Sequence, residues 1–98
     1  MKILALERDK PDAMDQDFAP HLKAEAARAY ELYQQGVLRE LYFHREEHTA
    51  VLILETESLE AARSVLDTLP LVKVGLIHFE LIPLVPYSGF ERLFAHPH

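Results

Sequence analysis

Cysteine is absent from the 98 residues, which excludes disulfides, thiolate nucleophiles, iron–sulfur ligation and every zinc site built on a thiolate. Redox chemistry by the chain itself is thereby excluded. Glycine occurs only three times and in no glycine-rich loop, so nucleotide binding through a phosphate cradle has no support. No block of five or six like charges appears, and the formal net charge is −6, from sixteen acidic side chains against ten Lys and Arg. Nucleic acid is a poor partner for such a chain, because phosphate contacts need grouped cations. The longest uninterrupted aliphatic run, Ala50 to Leu54, is far below the roughly 20 apolar residues of a spanning helix, so no membrane association is expected. The opening stretch from Met1 to Arg8 has too short an apolar run for the core of a secretion signal, and acidic residues follow at once. A cytoplasmic chain is the expectation.

What is present is ordinary globular composition, 49% hydrophobic and 27% charged. The length suits one domain with limited surface to bury, so association would help it. Ile3 to Arg8 reads as a first strand, ended by Asp9-Lys10-Pro11-Asp12. A helix is expected from Asp17, with Pro20 in its first turn, Gly36 as its left-handed cap, and an apolar stripe of Leu22, Ala26, Ala29, Tyr30 and Tyr33. Val37 to Arg45 and Thr49 to Thr56 read as antiparallel strands joined at Glu46-Glu47-His48. Ser58 or Thr56 caps a second helix that reaches Leu69 and is ended by Pro70, and a last strand runs from Val74 to about Leu84.

The order β-α-β-β-α-β is the ferredoxin-like α+β arrangement, a four-stranded antiparallel sheet with two helices on one face. Residues 1–86 form this domain, and 87–98 form a tail carrying Tyr87, Phe90, Leu93 and Phe94. Two helices cover only one face of the sheet, yet both faces are apolar: Leu4 and Leu6 oppose Ile3 and Ala5, and Val51 and Ile53 oppose Ala50, Leu52 and Leu54. In the last strand Ile77, Phe79 and Leu81 are assigned to the helices. Leu76, His78, Glu80 and Ile82 then fall on the uncovered face. A second copy of the chain, packed sheet to sheet as a homodimer or higher oligomer, would bury it, and the tail would dock on a neighbouring subunit.

From Ala29 onward the chain reads Ala29-Tyr30-Glu31-Leu32, Gln34-Gln35-Gly36, a hairpin, Glu57-Ser58, then Leu69-Pro70-Leu71 and a strand ending in Pro83-Leu84. This resembles the muconolactone isomerase family and its relatives among the dimeric α+β barrels, over roughly Lys23 to Ser88. The resemblance implies an enzyme that shifts a carbon–carbon double bond in a small lactone by moving a proton, with no metal and no organic cofactor. It also implies ferredoxin-like dimers assembled into larger rings. Where that family's second strand carries a Trp-Arg pair, this chain has Tyr42-Phe43, and the loss of that charge weighs against muconolactone itself as the substrate.

The candidate catalytic residues are His78, Glu80 and Glu7. His78 and Glu80 are two apart on one strand and share a face, and Glu7 is expected to join them in an apolar cavity. There a His beside carboxylates is suited to general acid/base work near neutral pH. The purely structural reading is a satisfied hydrogen-bond cluster at an interface. Arg39, Tyr42 and His44 are candidate substrate-binding residues, Arg39 to clamp a carboxylate and Tyr42 to donate a hydrogen bond, although Arg39 faces away from the other two unless a bulge intervenes. Their structural reading is solvated edge residues. His44 and His48 straddle the predicted hairpin turn and not a helix, so no metal site is expected. His21, His96 and His98 read as surface residues. Two functions therefore stand: a cofactor-independent isomerase or related proton-transfer enzyme acting on a small cyclic ligand, and a non-catalytic binding or assembly module of the same fold.

Overall fold

The computed structural model describes residues 1–94; the expectations for His96 and His98 lie outside the described residues. The chain runs β1 (Lys2–Asp9), α1 (Asp15–Phe18), a 3-10 turn (Ala19–His21), α2 (Leu22–Gln34), β2 (Leu38–Phe43), β3 (Ala50–Glu55), α3 (Leu59–Leu66), α4 (Pro70–Lys73), β4 (Ile77–Leu84) and a second 3-10 turn (Gly89–Leu93). The four strands form one antiparallel sheet in the order β2-β3-β1-β4, with β1 and β3 inside. This is the α+β framework expected from the pattern of elements. Among the described residues no helix is long and apolar enough to cross a membrane.

Successive side chains on a strand point to opposite faces, so the register sorts the sheet. Ile3 lies opposite Leu54 and Ala5 opposite Leu52, and all four are buried beneath the helices with Ile77 and Phe79 of β4. Helix α2 contributes Leu32 to this core, and α3 contributes Ala62 and Leu66. Ser58 caps α3 by accepting a hydrogen bond from the Ala61 N–H at 3.0 Å, which satisfies one of the free amides of the first turn. Gly36 ends α2 at φ 78°, a conformation that a side chain disfavours, and lets Val37 N–H return to the Leu32 carbonyl.

Three local expectations are corrected. The helix does not start at Asp17 as one piece: α1 is a single turn, the 3-10 turn carrying Pro20 follows, and α2 begins at Leu22. The Asp17 carboxylate instead accepts from the Met14 N–H at 2.9 Å. Tyr30 and Tyr33 do not face the core; they are 62% and 53% exposed, because the inward face runs through Glu25, Ala29 and Leu32 at helical spacing. Pro70 follows the end of α3 but opens α4, where its fixed φ and missing N–H suit the first position. The last strand consequently starts at Ile77 and not at Val74.

The face away from the helices carries Leu4, Leu6, Val51, Ile53 and Ile82, all only partly covered. Beyond β4 the chain leaves the sheet with Val85 88%, Tyr87 71% and Phe94 78% exposed, although the Tyr87 and Phe90 rings meet edge to face at 5.0 Å. The radius of gyration is 16.7 Å and the longest axis 62 Å, against about 13 Å of radius for a compact chain of this length.

Truncating Leu54, at the centre of the core, to Ala should cost about 2–5 kcal/mol in urea unfolding. Ser58→Ala should cost about 1 kcal/mol through loss of the cap. A Leu54→Ala loss no larger than that of the cap would show that the core is centred elsewhere.

Candidate active site

A cavity of about 680 Å³ opens between the sheet and α2. Its walls are largely apolar, from Phe18 and Leu22 near the helix start through Leu38 and Leu52 to Leu71 and Phe79. Two half-buried carboxyl groups face it, Glu7 from β1 and Glu25 from α2.

Each carboxyl group is positioned by a backbone amide at the end of an element. The pairing of β1 with β3 stops at Leu6 and Val51, so the next amide of β3 finds no strand carbonyl. Ala50 N–H donates instead to Glu7 Oε1 at 3.0 Å. On the other wall, the first turn of α4 leaves its amides free, and Leu71 N–H donates to Glu25 Oε1 at 2.9 Å. The Leu69-Pro70-Leu71 segment thus acts at the site by presenting an amide to a helix residue.

Burial dominates the electrostatics. The Glu7 carboxyl is raised from 4.5 to about 8, first by loss of solvent and then by the hydrogen bond and charge of Asp9 and the charge of Glu25, with the Ala50 amide acting the other way. Glu25 is also raised, mainly by burial, with the Leu71 amide and the charge of His21 acting the other way. Two carboxyl groups facing one apolar space cannot both ionise cheaply. At neutral pH Glu7 keeps its proton and can donate it.

The candidate residues divide between the two faces of the sheet. Glu7 lies opposite Phe79, on the helix side, whereas His78 lies opposite Arg8 and Glu80 opposite Leu6, on the open side. The expected cavity shared by Glu7, His78 and Glu80 therefore does not form within one chain. The cause is the pleat: residues paired directly across a ladder share a face, and Glu7 and His78 are one step out of phase. Glu80 is held in an ion pair with Arg8 at 2.6 Å, half exposed on both sides.

On β2 a bulge between Leu38 and Glu40 inserts Arg39 as the extra residue. Its Nε donates to the Gly36 carbonyl, away from the cavity. Tyr42 contributes to the cavity wall at the sheet edge, but its hydroxyl donates to Glu40 Oε1 at 2.6 Å, and that carboxylate raises the phenol pKa. His44 Nδ1 accepts from the amides of Glu46 and Glu47 at 3.2 and 3.0 Å and so organises the hairpin turn. Arg39, Tyr42 and His44 do not converge on one pocket. Among the described residues no group of three His, Asp or Glu side chains is arranged to hold a metal ion.

Glu25 and Glu47 line the cavity without having been singled out from the sequence, and so does His48, which was weighed only as a metal ligand. For Glu25 a signal existed: it precedes Ala29 and Leu32 by four and seven residues and so belongs to the inward stripe. A charged residue on that stripe was the anomaly to follow.

The folded chain holds a proton on Glu7 that the unfolded chain releases at its ordinary pKa of 4.5, so stability should fall as pH rises from 4.5 to about 8 and level off beyond. Glu25 contributes a slope of the same sign. Glu7→Gln removes the larger part, and its melting temperature should overtake that of the wild type at alkaline pH. Parallel melting profiles for the two proteins across this range would show that Glu7 is solvated and ionised at neutral pH.

A model of the muconolactone delta-isomerase family matches residues 5–89. No curated protein sequence matches the chain. Among solved structures, muconolactone isomerase at 3.3 Å resolution is similar with a TM-score of 0.72 and 26% identity, over 90% of this chain and 92% of that one. The 5-chloro-2-hydroxyhydroquinone dehydrochlorinase TftG of Burkholderia phenoliruptrix AC1100, solved with 2,5-dihydroxybenzoquinone, shares the fold at a TM-score of 0.72 and 18% identity, over 91% of this chain and 98% of that one. With a family match that spans most of its length and helices, strands and cavity in the order described, the chain belongs to the muconolactone delta-isomerase family.

Proposed function

We propose that this chain is a cofactor-independent isomerase that moves a proton within a small cyclic, lactone-like molecule, with Glu7 and Glu25 as its acid and base. The observation that carries this reading is the pair of carboxyl groups facing one apolar cavity, both raised by burial. Glu25, whose ionised form is favoured by the Leu71 amide, takes a proton from a carbon next to the ring carbonyl. Glu7, protonated at neutral pH, returns a proton at the far end of the conjugated system that results. One carbon–hydrogen bond breaks, another forms, and the double bond shifts between them. Family membership supports an isomerase-like enzyme acting on a small molecule.

Self-association belongs to the same proposal. The open sheet face offers Leu4, Leu6, Val51, Ile53 and Ile82 as a contiguous apolar surface, and the tail brings further large side chains with little cover of their own. A second copy of the chain packed on this face, with the tail of one subunit on the other, would bury both.

General acid/base groups contribute about 10²–10⁴-fold. Glu7→Gln and Glu25→Gln should each lower kcat on that scale, while His78→Gln, which changes the open face, should leave it near the wild-type value. The wild-type rate should decline above about pH 8 as Glu7 loses its proton. A variant pair in which His78→Gln is inactive and Glu7→Gln fully active would place the chemistry on the other side of the sheet. For assembly, Ile53→Asp should lower the oligomer mass in light scattering at micromolar concentration, because it forces a charge into a buried face. Unchanged mass in that variant and in a chain truncated after Pro86 would leave neither surface with a role in association.

A further inference from the structure

The charge lining the cavity is of one sign. Glu7 and Glu25 face its interior, and the exposed carboxylates of Asp9, Asp15 and Glu47 stand around them, whereas among the described residues no Lys or Arg side chain lines it. Among the described residues His48 is the only lining side chain able to carry a positive charge. Four guanidinium groups on the surrounding elements are engaged elsewhere, Arg8 with Glu80 on the open face, Arg28 with Thr68 and Glu31, Arg39 with the Gly36 carbonyl and Arg63 with the Phe79 carbonyl, while Arg45 in the hairpin is exposed and does not line the cavity.

We propose that this cavity takes an uncharged ring compound and rejects the same compound when it carries a carboxylate. The inference rests on the reading that the cavity is the substrate site, and it narrows the substrate class within that reading. A ligand carboxylate entering here would find neither the forked donors of Arg nor the ammonium of Lys, and it would meet like charge at the mouth and inside, where low polarity strengthens repulsion. An uncharged ring loses little on entering, since the walls are apolar. Its carbonyl or hydroxyl oxygen can accept a hydrogen bond from a carboxyl group that keeps its proton, and that contact needs no countercharge. Muconolactone carries a carboxylate and is therefore on the rejected side. Its methyl ester has the same ring without the charge.

The test compares these two ligands on the full-length protein at neutral pH and low salt, by titration followed through backbone amide resonances. Ala50 and Leu71 are the reporters, because their N–H groups bond the two interior carboxyl groups. The ester should shift both resonances, and the free acid should bind at least about tenfold more weakly. The difference should shrink near 1 M salt, where charges are screened beyond about 3 Å. The double variant Asp15→Lys with Glu47→Lys, which changes only the mouth, should narrow it at low salt. Binding of the acid at these amides as tightly as the ester would overturn the inference and leave the cavity as the substrate site. Ligands that shift neither amide would defeat the cavity reading, and this inference with it.

Discussion

The pleat of β1 is the constraint on which the rest of the molecule depends. This strand pairs with β3 on one side and β4 on the other, so its alternation is imposed on the middle of the sheet. Ile3 and Ala5 point to the helices and form the floor of the core, and the next residue in phase is Glu7. A carboxyl group is thereby carried to the end of an apolar row, where it faces the cavity between the sheet and α2. The intervening residues Leu4, Leu6 and Arg8 are sent to the other face by the same geometry. A slip of one residue would exchange the two sets, exposing the core and emptying the cavity of its acid.

Backbone amides at the edges of regular structure then convert that position into a site. A strand that ends beside Glu7 and a short helix that begins beside Glu25 each leave an N–H without an internal partner. Such groups are costly to bury unsatisfied, and a carboxylate oxygen is a good acceptor for them. The arrangement orients both side chains, and a single amide bond offsets only part of the cost of removing a carboxylate from water, so both carboxyl groups stay raised and Glu7 retains its proton at neutral pH.

The other face of the sheet poses a different problem. Its aliphatic residues and the tail beyond β4 together expose more apolar surface than a single copy covers, while the catalytic candidates of the cavity face the opposite way. The proposed chemistry and the proposed assembly thus use separate sides of one sheet. Glu80 and Arg8 neutralise each other on the open face, and His78 stands beside them in the register.

Much of the fold was legible in the residues: strand periods in β1, β3 and β4, the Ser58 cap, the Gly36 stop and the doubly apolar sheet all follow from local rules of spacing and backbone freedom. Local rules also made Glu7 a candidate, as a carboxyl group on an otherwise apolar strand. They did not reveal its neighbours. Pairing His78 and Glu80 with Glu7 required the phase between β1 and β4, which depends on the ladder register and not on either strand alone. Glu25 lies on the inward stripe of α2, but its partner was hidden until α4 brought the Leu71 amide against it from 46 positions along the chain. Arg39, Tyr42 and His44 were drawn off by Gly36, Glu40 and the hairpin amides, contacts that a bulge and a turn created. Sequence by itself determined which side chains are apolar, which elements form and where they stop, because those depend on residues a few positions apart. Tertiary structure alone decided which carboxyl groups share a cavity, since desolvation and charge coupling act through space between residues that the chain keeps far apart.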